Sequence, residues 1–166
     1  MKTLARLRVP LGFLCAALAL ALVRPSWSTW QAGAVVALAG ECLRVWAAGH
    51  IDKGREITRS GPYRFVRHPL YAGSTLIGIG FAIASQSAVV WALTTVYLGV
   101  TLAAAIRTEE RTLDERFAGA YSDYRAGRAA AVDRPFTWAR VVANREYRAM
   151  TGVVAAFAWL LWRLPG

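Results

Sequence analysis

The stretch "GPYRFVRHPLYAG" (residues 61–73) interrupts a chain that otherwise consists largely of long apolar runs. It contains two prolines, two tyrosines, two arginines and one of the two histidines of the protein. Ser60-Gly61-Pro62 indicates a turn, and Pro69 suits the first position of a helix because its missing N–H is not needed there. The stretch therefore predicts a short connecting element that leads into a helix beginning at Pro69.

Three side chains of this stretch fall at the amino end of that helix. Arg67 and His68 directly precede Pro69, and Tyr71 lies in the first turn. Free backbone N–H groups and the helix dipole favour an anion at such an end. Anchoring of Arg67 and His68 to lipid headgroups is the alternative, and the local sequence does not decide between the two.

The composition of the whole chain places it among integral membrane proteins. Of its 166 residues, 56% are hydrophobic and only 18% are charged. The chain has neither a low-complexity linker nor an internal repeat, so we expect residues 1–166 to form a single domain.

Five apolar runs predict the helices: residues 9–23, 30–49, 69–84, 88–106 and 149–162. The first run also fits the apolar part of a signal peptide, but no small-residue cleavage pattern follows it, so we expect a retained helix. The last run is short, which leaves open a fifth span or an interfacial helix. We predict an all-α integral membrane protein with four to five transmembrane helices.

Positive charge is concentrated in alternate loops. Residues 1–8 hold three basic residues, residues 53–67 five and residues 107–148 nine, whereas residues 25–29 and 85–87 hold none. This positive-inside pattern predicts a cytoplasmic amino terminus and cytoplasmic active-site loops, and explains the net charge of +10 without nucleic acid. Eighteen arginines against two lysines indicate a GC-rich bacterial genome, so we expect the bacterial inner membrane.

Two charged residues lie inside the second apolar run. Glu41 and Arg44 are three residues apart and therefore share one face of the predicted helix. Charges at that depth must pair or face a polar cavity. A pair that locks helices together and a role in lining a cavity are both open.

Ser85-Gln86-Ser87 predicts a tight turn, so the third and fourth runs should form a helical hairpin over residues 69–106. Glu109 and Glu110 follow the fourth run and therefore reach the same membrane depth as the stretch 61–73. The helix end favours a negative group and the two carboxylates favour a positive one. Together they suit a ligand that carries both signs of charge. The alternative for the glutamates is a solvated helix end. The sequence thus predicts a pocket for a cofactor at the cytoplasmic face.

The combination of motifs resembles the isoprenylcysteine carboxyl methyltransferase family and its phospholipid methyltransferase relatives. That pattern is G-x-Y-x-x-x-R-H-P-x-Y-x-G, then Glu-Glu, then Phe-Gly-x-x-Tyr-x-x-Tyr, and the resemblance covers about residues 40–125. The matching residues are Gly61, Tyr63, Arg67, His68, Pro69, Tyr71, Gly73, Glu109, Glu110, Phe117, Tyr121 and Tyr124. "LRVWA" (residues 43–47) also resembles the family, whereas Ala118 departs from its glycine.

The resemblance implies a membrane-embedded methyltransferase that uses S-adenosylmethionine without a metal and acts on a lipophilic or lipidated substrate among membrane lipids. It implies that the cofactor is held by Tyr63, Arg67, His68, Pro69, Leu70, Tyr71 and Glu109. Residues just before the motif also contribute in the family, and of these only Ile57 is similar in character. A family arginine that contacts substrate aligns with Ala105, and we expect Arg107 to replace it.

The acceptor group decides whether the enzyme needs a base. An ionised carboxyl group of a lipid-like or prenylcysteine-like molecule needs none, and this is the acceptor we expect; a phospholipid amine or a small thiol is the alternative. An amine needs a base, and Glu110 is the candidate. Two rival functions stay open: an NADPH-dependent enzyme like the sterol reductases, which share an R-H-P-x-Y element, and a membrane scaffold or transporter subunit.

Overall fold

The computed structural model describes residues 14–52, 58–116 and 134–165, and of residues 113–116 it describes the backbone alone. A helix whose described part is residues 14–22 (α1) is followed by α2 (Trp27–His50), a 3-10 helix (Gly61–Arg64), α3 (Pro69–Ser85), α4 (Ala88–Arg116), α5 (Trp138–Ala143) and α6 (Tyr147–Trp162). No strand occurs in these three ranges. The all-α prediction is therefore confirmed for the described residues.

The helix ends follow the signals in the sequence. Ser26 and Thr29 form a capping box at the start of α2, with each side chain accepting from the backbone N–H of the other residue. Pro69 is the first residue of α3, as predicted. Gln86 takes a left-handed conformation with φ 50° after α3, and α4 begins two residues later. The predicted turn and the helical hairpin are confirmed.

Glycines allow the backbones of α2 and α3 to touch. A Cβ at Gly80 would lie 2.5 Å from the Gly33 carbonyl oxygen, and a Cβ at Gly40 would lie 2.6 Å from the Gly73 carbonyl oxygen. The two contacts are two helical turns apart on each helix. The earlier glycine of α2 meets the later glycine of α3, as antiparallel packing requires. Small residues at a helix interface permit this approach. It brings α2 against the first turns of α3.

The carboxyl end of α2 is covered by the segment that contains α5. The last carbonyls of a helix have no partner within the helix. Here Asn144 Nδ2 donates to the carbonyl oxygens of Ala48 and Ile51, at 2.9 and 3.2 Å, and the Thr137 N–H donates to that of Gly49 at 3.1 Å. These bonds fix residues 137–144 beside α2, and Glu146 follows directly.

Among the described residues, two helices are long and apolar enough to cross a membrane: Trp27–His50 and the Ala88–Thr112 part of α4. Pro69–Ser85 and Tyr147–Trp162 are apolar but shorter. Almost none of the apolar stretch of α4 is buried inside the protein. Two helices of this length and hydropathy are consistent with a membrane protein, whereas the expected number of four to five spans stays a prediction.

Candidate active site

A cavity of about 160 Å³ lies where α2, the 3-10 helix, the start of α3, α4 and the start of α6 meet. All seven described residues that we expected to hold a cofactor line it: Tyr63, Arg67, His68, Pro69, Leu70, Tyr71 and Glu109. Arg44 and Glu146 complete its wall. Ile57 lies outside the described residues. Side chains from distant parts of the sequence therefore meet in one cavity.

The 3-10 helix that carries Tyr63 rests on the end of α2. Gly61 has φ +57°, and a Cβ there would collide with the ring of His50. The buried His50 lies with Nδ1 3.3 Å from Ser60 Oγ, while the Tyr63 N–H donates to the Ser60 carbonyl at 3.2 Å. The absence of a side chain at Gly61 thus lets the connection pack against α2 and bury Tyr63 in the cavity wall.

The amino end of α3 faces two carboxylates of α4. His68 is the residue before Pro69 and makes no side-chain capping bond. Its Nδ1 lies 3.9 Å from Glu109 Oε2, and its Nε2 lies 3.5 Å from Glu110 Oε1. The Tyr71 hydroxyl donates to Glu109 Oε2 at 2.8 Å. The hairpin therefore brings the motif and the glutamate pair together, as the sequence predicted.

Arg44 joins three parts of the chain at the cavity. Its Nη2 donates to Glu146 Oε2 at 2.7 Å, and its Nη1 donates to the Leu70 carbonyl at 3.3 Å and to Ser74 Oγ. The side chains of Arg44 and Glu146 are 17% and 4% exposed. Burying two charges is costly unless they pair and hydrogen-bond well; here both Nη atoms of Arg44 have partners, whereas its Nε makes no hydrogen bond within the described residues.

The sequence left open whether Glu41 and Arg44 form a pair or line a cavity; in the structure Arg44 lines the cavity and makes no hydrogen bond to Glu41. The two residues share a helix face, but the guanidinium bonds Glu146, which lies 102 residues further along the chain. Glu41 is buried at 8% exposure, and its carboxylate has no hydrogen bond to any residue in the described ranges. Spacing along a helix places two side chains on one side, but it cannot show a closer partner from another segment.

The two residues expected to take part in chemistry lie outside the cavity lining. Arg107 is exposed and does not belong to the wall. Glu110 does not line the cavity either, but it faces the His68 ring. The position of Arg107 gives no support to its expected contact with substrate, whereas Glu110 lies next to a residue that lines the cavity.

Sequence reasoning did not identify Glu146 and considered Arg44 only together with Glu41. The sequence did indicate that Arg44 needs a partner or a polar cavity, because it lies deep in an apolar run. Glu146 lies between Arg145 and Arg148 in the basic stretch 107–148 and carried no comparable signal.

Most of the chain matches a known protein family. Residues 7–120 match the family described as "Phospholipid methyltransferase". The cobalt-zinc-cadmium resistance protein CzcN of Cupriavidus metallidurans is 36% identical over 76 residues, which cover 45% of this chain and 35% of CzcN. The uncharacterized protein YpbQ of Bacillus subtilis is 29% identical over 99 residues, which cover 53% of this chain and 59% of YpbQ.

The matched region spans about a third of CzcN and under two thirds of YpbQ. No solved structure matches the chain. The family match contains the stretch 61–73 and both glutamates of α4, and it ends before Glu146. The chain belongs to the phospholipid methyltransferase family, a family of membrane methyltransferases.

Proposed function

We propose that this protein transfers a methyl group from S-adenosylmethionine to a lipophilic acceptor in the membrane. The observation that carries the proposal is the cavity, in which the motif 61–73, Glu109 and Arg44 meet. A scaffold would use these residues at separate interfaces, whereas one shared cavity supports a ligand site.

The residues of the cavity fit S-adenosylmethionine. The cofactor carries an ammonium, a carboxylate, ribose hydroxyls and a sulfonium. Glu109 can accept from the ammonium or the hydroxyls, Arg67 can pair with the carboxylate, and the rings of Tyr63 and Tyr71 can attract the sulfonium, with ~0.5–2 kcal/mol for each cation–π contact.

His68 keeps hydrogen-bonding capacity for a ligand. Its Nε2 is buried and makes no hydrogen bond within the described part of the chain, although the Glu110 carboxylate lies 3.5 Å away. A buried polar atom of this kind is expected to bond a ligand or water. The cavity holds about 160 Å³, against the roughly 300–1,000 Å³ of a site for a drug-sized molecule, so it accommodates part of the cofactor.

When bound, S-adenosylmethionine supplies an electrophilic methyl group on a cationic sulfur. The protein has to hold donor and acceptor in line, which can contribute ~7–11 kcal/mol to lowering the barrier. It also has to keep water from the reacting atoms. An ionised carboxyl group of a prenylcysteine-like or lipid-like molecule needs no base, and we propose it as the acceptor.

A phospholipid amine is the second candidate, and two observations favour it. The family is described as phospholipid methyltransferase. An amine must lose a proton; His68 lines the cavity and its Nε2 lies 3.5 Å from Glu110 Oε1, so the imidazole can take that proton and pass it to Glu110 outside the lining.

The acceptor is tested with purified protein, methyl-labelled S-adenosylmethionine and fractionated membrane lipids. We expect label in a lipid product that alkali releases as methanol, because a methyl ester hydrolyses. Label that survives alkali identifies an N-methyl product and shifts the proposal to the amine. Absence of label from every lipid fraction contradicts a lipid acceptor.

We further propose a multi-pass protein of the bacterial inner membrane with the cavity on the cytoplasmic side. The connection at residues 85–87 then lies outside, since α3 and α4 form a hairpin. In a background with Cys15 and Cys42 replaced by serine, we expect Gln86→Cys to react with an impermeant thiol reagent added from the periplasmic side. Labelling only after access to the cytoplasm would refute this orientation.

A further inference from the structure

We propose that Glu146 makes the cavity selective for the cationic methyl donor over its neutral demethylated product, by offsetting the charge of Arg44. This inference rests on the proposed function and assigns a role to a residue beyond the region that matches the family. In this role Glu146 acts through Arg44 and does not itself take part in methyl transfer.

Arg44 needs such a counter-charge. Its guanidinium lies in the cavity wall and is 17% exposed, so solvent screens it weakly. Two donor bonds of Nη1 go to neutral oxygens, those of Leu70 and Ser74. Glu146, at 2.7 Å, is the one carboxylate that bonds Arg44 among the described residues.

The reaction changes the charge that this wall faces. The C–S bond of the donor breaks, its electron pair stays on sulfur, and the new bond forms between the methyl carbon and the acceptor. A cationic sulfonium thus becomes a neutral thioether. An uncompensated guanidinium would repel the donor and leave the product almost unaffected, whereas a neutral Arg44–Glu146 pair removes this penalty.

The size of the cavity makes the effect large enough to measure. A sphere of about 160 Å³ is about 7 Å across, so a cation inside lies within one Debye length of Arg44. Two like charges this close repel each other appreciably in a site that is largely shielded from solvent. Partial exposure reduces this, and we expect a change of about tenfold in the ratio of affinities.

The test measures equilibrium binding of S-adenosylmethionine and S-adenosylhomocysteine by titration calorimetry in detergent. We expect Glu146→Gln to lower the affinity ratio of donor to product about tenfold, since glutamine keeps the shape and removes the charge. The double variant Arg44→Gln/Glu146→Gln should restore the wild-type ratio. Asp52→Asn is the control: Asp52, just after α2, lies 3.8 Å from Arg134, just before α5, and this ion pair lies outside the cavity lining.

An equal loss of both affinities in Glu146→Gln, or no change in either, would show that the pair only fastens the helices and would overturn the inference. If Glu146→Gln does not fold, Arg44→Gln decides: it leaves Glu146 without its counter-charge, so the affinity ratio of donor to product should rise, and an unchanged or lower ratio overturns the inference. A wild-type protein that binds neither compound instead refutes the proposed function.

Discussion

Glu109→Gln is expected to weaken binding of S-adenosylmethionine at least tenfold while the protein still folds and inserts. Glu109 lines the cavity, and its Oε2 accepts from the Tyr71 hydroxyl at 2.8 Å, which fixes the carboxylate. A charge-assisted hydrogen bond from the ammonium or a ribose hydroxyl contributes ~1.5–3 kcal/mol, and glutamine removes the charge while it keeps the shape. Titration calorimetry in detergent measures the loss.

Glu110→Gln is the matched control, because Glu110 is the next residue of α4 but does not line the cavity. We expect it to change cofactor affinity much less and to affect turnover more strongly if the acceptor is an amine. Wild-type affinity in Glu109→Gln would mean that the glutamate pair is only a solvated helix end.

Gly80→Ala is expected to destabilise the folded protein by ~1–3 kcal/mol, although alanine favours a helix over glycine. The new Cβ would lie 2.5 Å from the Gly33 carbonyl oxygen and 2.6 Å from the Ala37 nitrogen, so α2 and α3 would have to separate. Because Arg44 lies on α2 and Leu70 on α3, the cavity wall would move as well. Thermal unfolding in detergent measures the effect.

Gly99→Ala provides the comparison, since a Cβ at Gly99 of α4 meets nothing within 4 Å. We expect it to leave the melting temperature unchanged or to raise it slightly. Equal melting temperatures for Gly80→Ala and Gly99→Ala would contradict the close contact between α2 and α3.

Local sequence signals predicted much of the helical framework. Pro69 fixed the start of α3 because proline is favoured only at the first helical turn, and Ser85-Gln86-Ser87 marked the turn to α4. Because the two helices of the hairpin run antiparallel from this turn, counting residues back from it places Glu109 of α4 opposite His68. These features depend on residues close in sequence or on one tight turn, so spacing is sufficient to predict them.

The partner of Arg44 could not be predicted in this way. Its ion pair spans 102 residues and depends on the packing of α5 and α6 against the end of α2. Glu146 stands in a basic stretch whose charge indicated orientation in the membrane and gave no sign of a buried carboxylate. The packing of Gly61 against the ring of His50 could not be predicted either, because the sequence does not show whether a given glycine adopts a positive φ.

The central claim is that the cavity binds the methyl donor, and thermal melting of the purified protein with candidate ligands tests it most directly. At 100 times its dissociation constant, S-adenosylmethionine or S-adenosylhomocysteine should stabilise the protein by ~2.7 kcal/mol, while NADPH should leave the melting temperature unchanged. A melting temperature that rises with NADPH and with neither methyl-cycle compound would contradict the account and favour a reductase.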